Sequence, residues 1–206
     1  ELWTHETTNS STWLASDTRS GQLTGGADHI IVMGTRIYFE ANDGSSGVEL
    51  WAHESTNSST WLAADIRSGL GQGSGIGDMA AMGTRLYFQA NDGSSGYELW
   101  THETTNDSTW QVADINSGGP SGFAVYLTVM GTRLYFQGND GSSGYELWTH
   151  ETTNNSTWQV ADINSGAFSS GPIDIDVMGT RLYFSASDGA SFRLHMMEIE
   201  HNIYYN

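Results

Sequence analysis

The stretch from Arg133 to Glu151, Arg-Leu-Tyr-Phe-Gln-Gly-Asn-Asp-Gly-Ser-Ser-Gly-Tyr-Glu-Leu-Trp-Thr-His-Glu, decides the fold. Two runs rich in aromatic residues flank Asn139-Asp140-Gly141-Ser142-Ser143-Gly144, whose residue types tolerate positive φ, so the segment reads as a β-hairpin. Working outward, Val125 to Met130 reads as a preceding strand turned through Gly131-Thr132. Thr157 to Ile163 reads as a following strand reached through Thr152-Thr153-Asn154-Asn155. These four strands, a to d, form consecutive antiparallel hairpins.

The unit recurs. Glu-Leu-Trp begins at Glu1, Glu49, Glu98 and Glu146, and Met-Gly-Thr-Arg begins at Met33, Met82, Met130 and Met178. A four-stranded meander repeated at about fifty residues is the sequence form of a β-propeller blade. The expected fold is all-β. Three continuous blades are expected at about 22–66, 70–115 and 119–163, and a fourth at 167–190 is completed by residues 1–17, which closes the ring by pairing N- and C-terminal strands. The tail 192–206 competes for that place, because Phe192 to Glu198 aligns with Tyr97 to Glu103 after one deletion. Five blades, a larger two-chain ring and an open array remain alternatives.

Composition excludes whole classes of function. Seven arginines, no lysine and 24 acidic residues give a net charge of −17, which excludes a basic nucleic-acid surface and polybasic membrane anchoring. No stretch approaches the roughly 20 apolar residues of a membrane-spanning helix. The absence of cysteine removes disulfides and thiol chemistry.

At this point the residues carry a likeness. Glu146-Leu147-Trp148-x-x-Glu151-Thr152-Thr153-x-x-Ser156-Thr157, with the preceding Leu134-Tyr135-Phe136 and Asp140-Gly141, resembles the ELWxxDGTxxGT repeat of secreted prokaryotic proteins. The family's Asp-Gly is replaced here by Glu151-Thr152 and its second Gly by Ser156. The resemblance implies an extracellular or cell-surface propeller-like array and brings no catalytic residues.

The repeated side chains suggest several sites. Arg36, Arg85 and Arg133 face carboxylates across the b–c hairpin and read as structural ion pairs. The His-Glu pairs point to opposite faces of strand c, which argues against a metal ring and for a solvent-facing strand end. The eight tryptophans read as filler between blades, with the strand-d series the more exposed. Asp43, Asp92 and Asp140, in the b–c turns six residues before Glu49, Glu98 and Glu146, suggest calcium, although too few oxygens gather in any one turn. Asn9, Asn57, Asn106 and Asn154 lie in sequons that would accept glycans on one rim.

Differences between the units concentrate in strand a and the d–a loops, which in a propeller share the channel-mouth face with the b–c loops. Asp28, Gln72, Asp78 and Phe123 on that face are the expected ligand-binding residues, with Phe123 either a sugar-stacking platform or a channel plug. The resulting expectation is a non-enzymatic extracellular binding or adhesion module for glycans or other cell-surface partners, acting through repeated shallow sites. A purely structural spacer is the second reading, and a metal-dependent hydrolase at the channel mouth a distant third.

Overall fold

The computed structural model describes residues 1–21, 25–69 and 71–198. The expected boundaries at 22 and 70, and the tail from 199 to 206, lie outside the described residues. Within them the chain is all-β, and every strand pairs antiparallel with its neighbour in sequence.

The first sheet is the hairpin β1 (Leu2–Glu6) and β2 (Ser11–Ser16). Three four-stranded sheets follow. The first contains β3 (Asp28–Met33), β4 (Arg36–Asn42), β5 (Val48–Glu54) and β6 (Ser59–Ala64). The second contains β7 (Met79–Met82), β8 (Arg85–Asn91), β9 (Tyr97–Glu103) and β10 (Ser108–Ala113). The third contains β11 (Val125–Met130), β12 (Arg133–Asn139), β13 (Tyr145–Glu151) and β14 (Ser156–Ala161). The last sheet has three strands, β15 (Ile173–Met178), β16 (Arg181–Ser187) and β17 (Phe192–Glu198).

Closure through the N-terminus is therefore overturned. Strands β1 and β2 form their own sheet, and β17 occupies the place beside β16 that closure assigned to β1. The register of β16 and β17 sets Arg181 opposite Glu198, as Arg85 stands opposite Glu103. A local hairpin is the reason. Closing it orders a short loop, whereas pairing β1 with β16 joins distant ends of the chain, a difference of roughly 3 kcal/mol by the logarithmic loop-length rule.

The sheets stack face to face, and the apolar residues of each layer are buried. Tyr38, Leu50 and Ala52 of one sheet meet Leu86, Phe88 and Ala90 of the next. Tyr87 and Leu99 meet Leu134 and Phe136, and Tyr135 and Leu147 meet Leu182 and Phe184. Leu2 packs on Phe39 and Ala41. Each buried aliphatic or aromatic side chain contributes about 1.5–3 kcal/mol, so these layers dominate stability. Strand a is innermost throughout, with β3 against β7, β7 against β11 and β11 against β15.

Candidate site on the inner strands

The repeated polar residues turn out to be structural. Glu98, fully buried on β9, accepts hydrogen bonds from the N–H groups of Ile115 (2.7 Å) and Gly122 (2.6 Å), which tie the d–a loop to its own sheet. Glu49 does the same for Ile66 and Ser74, Glu146 for Ile163 and Ser170, and Glu1 for Thr18 and Gly25. Burial pushes the Glu98 carboxyl up to about 7 against the lowering effect of these donors. Sequence reasoning placed these glutamates near a cation and missed the brace. The available signal was a charged residue recurring beside the strand-c leucine, which is buried in all four units.

Beside the brace, the d–a loop crosses the b–c turn so closely that a Cβ on Gly96 would lie 2.8 Å from the Ser121 backbone. Glycine at +78° fits both the space and the φ. The two loop sets therefore share one face, as expected. Within the turns, Asp92 accepts hydrogen bonds from the Ser94 and Ser95 N–H groups (2.8 and 3.0 Å) and from the Ser94 hydroxyl (2.7 Å). Asp43 and Asp140 repeat the pattern. Partial burial pushes these three carboxyls up, but the serine donors outweigh it and hold each at about 2. Their oxygens thus serve turn donors, while those of Glu49, Glu98 and Glu146 serve the d–a loop N–H groups. Among the described residues no group of three His, Asp or Glu side chains converges on a position for a metal ion.

At the opposite rim, Arg133 pairs with Glu151 at 2.9 Å and Arg85 with Glu103 at 3.3 Å. Arg36, Arg85 and Arg133 also lie over Trp61, Trp110 and Trp158, 5.4 to 5.5 Å from the ring centroids. The exposed tryptophans come from both series, Trp13 and Trp158 on strand d but also Trp3 on strand c. The histidines correct the expectation of a solvent-facing strand end. His53, His102 and His150 are buried, and the rings of His102 and His150 pack 5.4 and 5.7 Å from those of Tyr38 and Tyr87 in the preceding sheet. Burial lowers the pKa of His102 and His150, so both pack as neutral rings, each with Nδ1 hydrogen-bonded to a threonine hydroxyl, Thr109 or Thr157. Asn9, Asn57, Asn106 and Asn154 are exposed, and each holds its c–d turn through Oδ1, leaving the bond away from the nitrogen that would carry a glycan.

A cavity of about 370 Å³ is framed by the inner strands of all four larger sheets. Its wall includes His29, Asp78, Tyr126 and Asp174, each four residues before the repeated methionine and so at one position of the repeat. In β3, β11 and β15 the register shifts at this point, and His29, Tyr126 and Asp174 take φ of 50°, 57° and 53°. These bulges re-aim the side chain toward the mouth. The sequence hid them, since Val125-Tyr126-Leu127-Thr128 reads as unbroken strand. Strand β7 is shorter, and Asp78, just before it, accepts a hydrogen bond from the bulged Tyr126 N–H at 2.9 Å. His29 stands 3.6 Å from Glu40.

Of the expected binding residues, only Asp78 lines this cavity. Asp28 is exposed beside His29, and Gln72 is exposed on the neighbouring d–a loop. Phe123 lies outside the cavity wall, half-buried between Tyr97 and Tyr145, with ring centroids 6.0 and 5.9 Å away. His29, Tyr126 and Asp174 were not singled out from sequence.

No family model matches the chain, and none of the curated proteins does. Among solved structures it is similar to a putative TolB from Agrobacterium tumefaciens, with a TM-score of 0.52 at 10% identity, covering 81% of this chain and 58% of that one. It is also similar to the AtxE2 isopeptidase S527A variant with bound Astexin3-dC4, with a TM-score of 0.51 at 12% identity, covering 88% of this chain and 28% of that one. The chain thus spans little more than half the length of the first and under a third of the second. At such identity the likeness concerns fold alone, that of propeller-like repeated sheets.

Proposed function

We propose that this chain is a non-enzymatic binding module of propeller type, whose inner-strand cavity takes a glycan or another polyhydroxylated cell-surface ligand. One observation carries the reading: His29, Asp78, Tyr126 and Asp174, equivalent in the repeat yet different in chemistry, surround a single cavity. Carboxylates that accept hydroxyl hydrogen bonds beside an aromatic ring suit a sugar. The site is then one asymmetric mouth rather than several equal shallow ones. Extracellular or cell-surface placement follows from the ELWxxDGTxxGT resemblance and is part of the same proposal.

The second reading, a structural spacer, draws support from the repeated carboxylates, which already serve the chain's own N–H groups. A glycan array probed with and without chelator separates the two. Binding that Asp78→Ala and Tyr126→Ala weaken at least tenfold, and that Thr8→Ala and Thr105→Ala on the far rim leave intact, supports the module. No binding to any glycan supports the spacer. Loss of binding with chelator would return a cation to the site.

A further inference from the structure

The inter-sheet layer inside this chain has a fixed grammar. The strand-c leucine of one sheet and the tyrosine beside it are covered by the tryptophan, histidine and phenylalanine face of the following sheet. Among the described residues, the first and last sheets each leave one half of that layer uncovered. On β17, Leu194 occupies the place of Leu147, since Ser185 stands opposite it as Gln137 stands opposite Leu147. Leu147 is fully buried, whereas Leu194 is 75% exposed. Phe192 and Met196, on the same face of the strand by alternation, are 60% and 53% exposed.

The sequence there departs from the repeat in the apolar direction. Met196 stands where the interior sheets have Ala52, Thr101 and Thr149, so the most exposed copy is also the greasiest. At the other end, Trp3 is 62% and Leu14 40% exposed, and they sit directly across from each other on β1 and β2. His5, on the same face, is exposed where His102 and His150 are fully buried. This is the covering half of the layer, left exposed among the described residues.

We propose that the C-terminal face, Phe192, Leu194 and Met196, is covered by the N-terminal face, Trp3, His5 and Leu14, of a second copy of this chain, continuing the internal layer from molecule to molecule. The contact is heterologous, because two different surfaces meet, so it joins copies head to tail. Exposed apolar patches of this kind mark association surfaces. The net charge of −17 opposes the approach of two copies, so added salt strengthens the contact.

The test is sedimentation equilibrium of the full chain up to about 1 mM, with Leu194→Asp and Trp3→Asp as variants and circular dichroism to confirm folding. Wild type should show a concentration-dependent mass above one chain that rises with salt, and each variant should weaken association at least tenfold. Mixing the variants should restore a complex of two chains and no larger, since each retains the face that the other has lost. Should Leu194→Asp not fold, Met196→Glu takes its place. A wild-type mass of one chain at every concentration overturns the proposal. Association that survives the substitutions, or that mixing fails to restore, also overturns it.

Discussion

Strands β8, β9 and β10 of the second full sheet match β12, β13 and β14 of the third residue for residue, apart from Ala90 against Gly138, whereas β7 and β11 share only their last methionine. The identical strands supply the buried layer, the ion pairs and the carboxylate braces. The differing strands supply the cavity wall. Packing between equal sheets demands equal faces, so those positions are fixed by stability, while the inner strand meets solvent at the mouth and is free to diverge.

The sharpest way to break this comparison is to strike the constant layer. Phe136→Ala should lower unfolding free energy by about 3–5 kcal/mol in urea titration, because Phe136 is fully buried between sheets. A loss no greater than that of an inner-strand substitution would dissolve the distinction.

A smaller effect is expected at the brace. Glu98→Gln keeps one acceptor of two and leaves a buried N–H without a partner, a cost of about 1–3 kcal/mol. The pH dependence sharpens this. Burial raises the folded carboxyl to about 7, so its contribution is fully present below the unfolded value near 4.5 and is lost as pH rises through about 7. Melting curves of wild type should show that decline, and those of Glu98→Gln a smaller one, since burial also raises the carboxyls of Glu49 and Glu40.

The turn aspartates run in the other direction. Their carboxyls are held at about 2, so their contribution is present above the ordinary value of 3.8 and is lost as pH falls through about 2. Asp92→Ala should flatten part of that acid limb. Its effect at neutral pH should stay within about 1 kcal/mol, because the turn faces solvent. An unchanged acid limb would mean that these donors do not matter to folding.

How much of this was legible follows from the same division. The constant strands were readable to within a residue or two, because turn chemistry and alternation repeat with the period, and even β17 aligned with β9 after one deletion. Closure was not readable. Two segments fitted one slot, and only the geometry of the β16–β17 hairpin decides between them. The bulges at His29, Tyr126 and Asp174 also left no local signal, since a register shift depends on the partner strand. The buried histidines looked polar because their cover, Tyr38 and Tyr87, comes from the preceding sheet.

The central claim is that the inner strands recognise and the outer strands hold. It is tested most directly by measuring binding and melting of Tyr126→Ala together, against Thr105→Ala, using the glycan that the array selects. The account predicts at least tenfold weaker binding for Tyr126→Ala with a melting temperature within about 2 °C of wild type, since exposed substitutions change stability by roughly 0.5 kcal/mol or less. Thr105→Ala should bind as wild type does. Unchanged binding in Tyr126→Ala, or lost binding in Thr105→Ala, would contradict it.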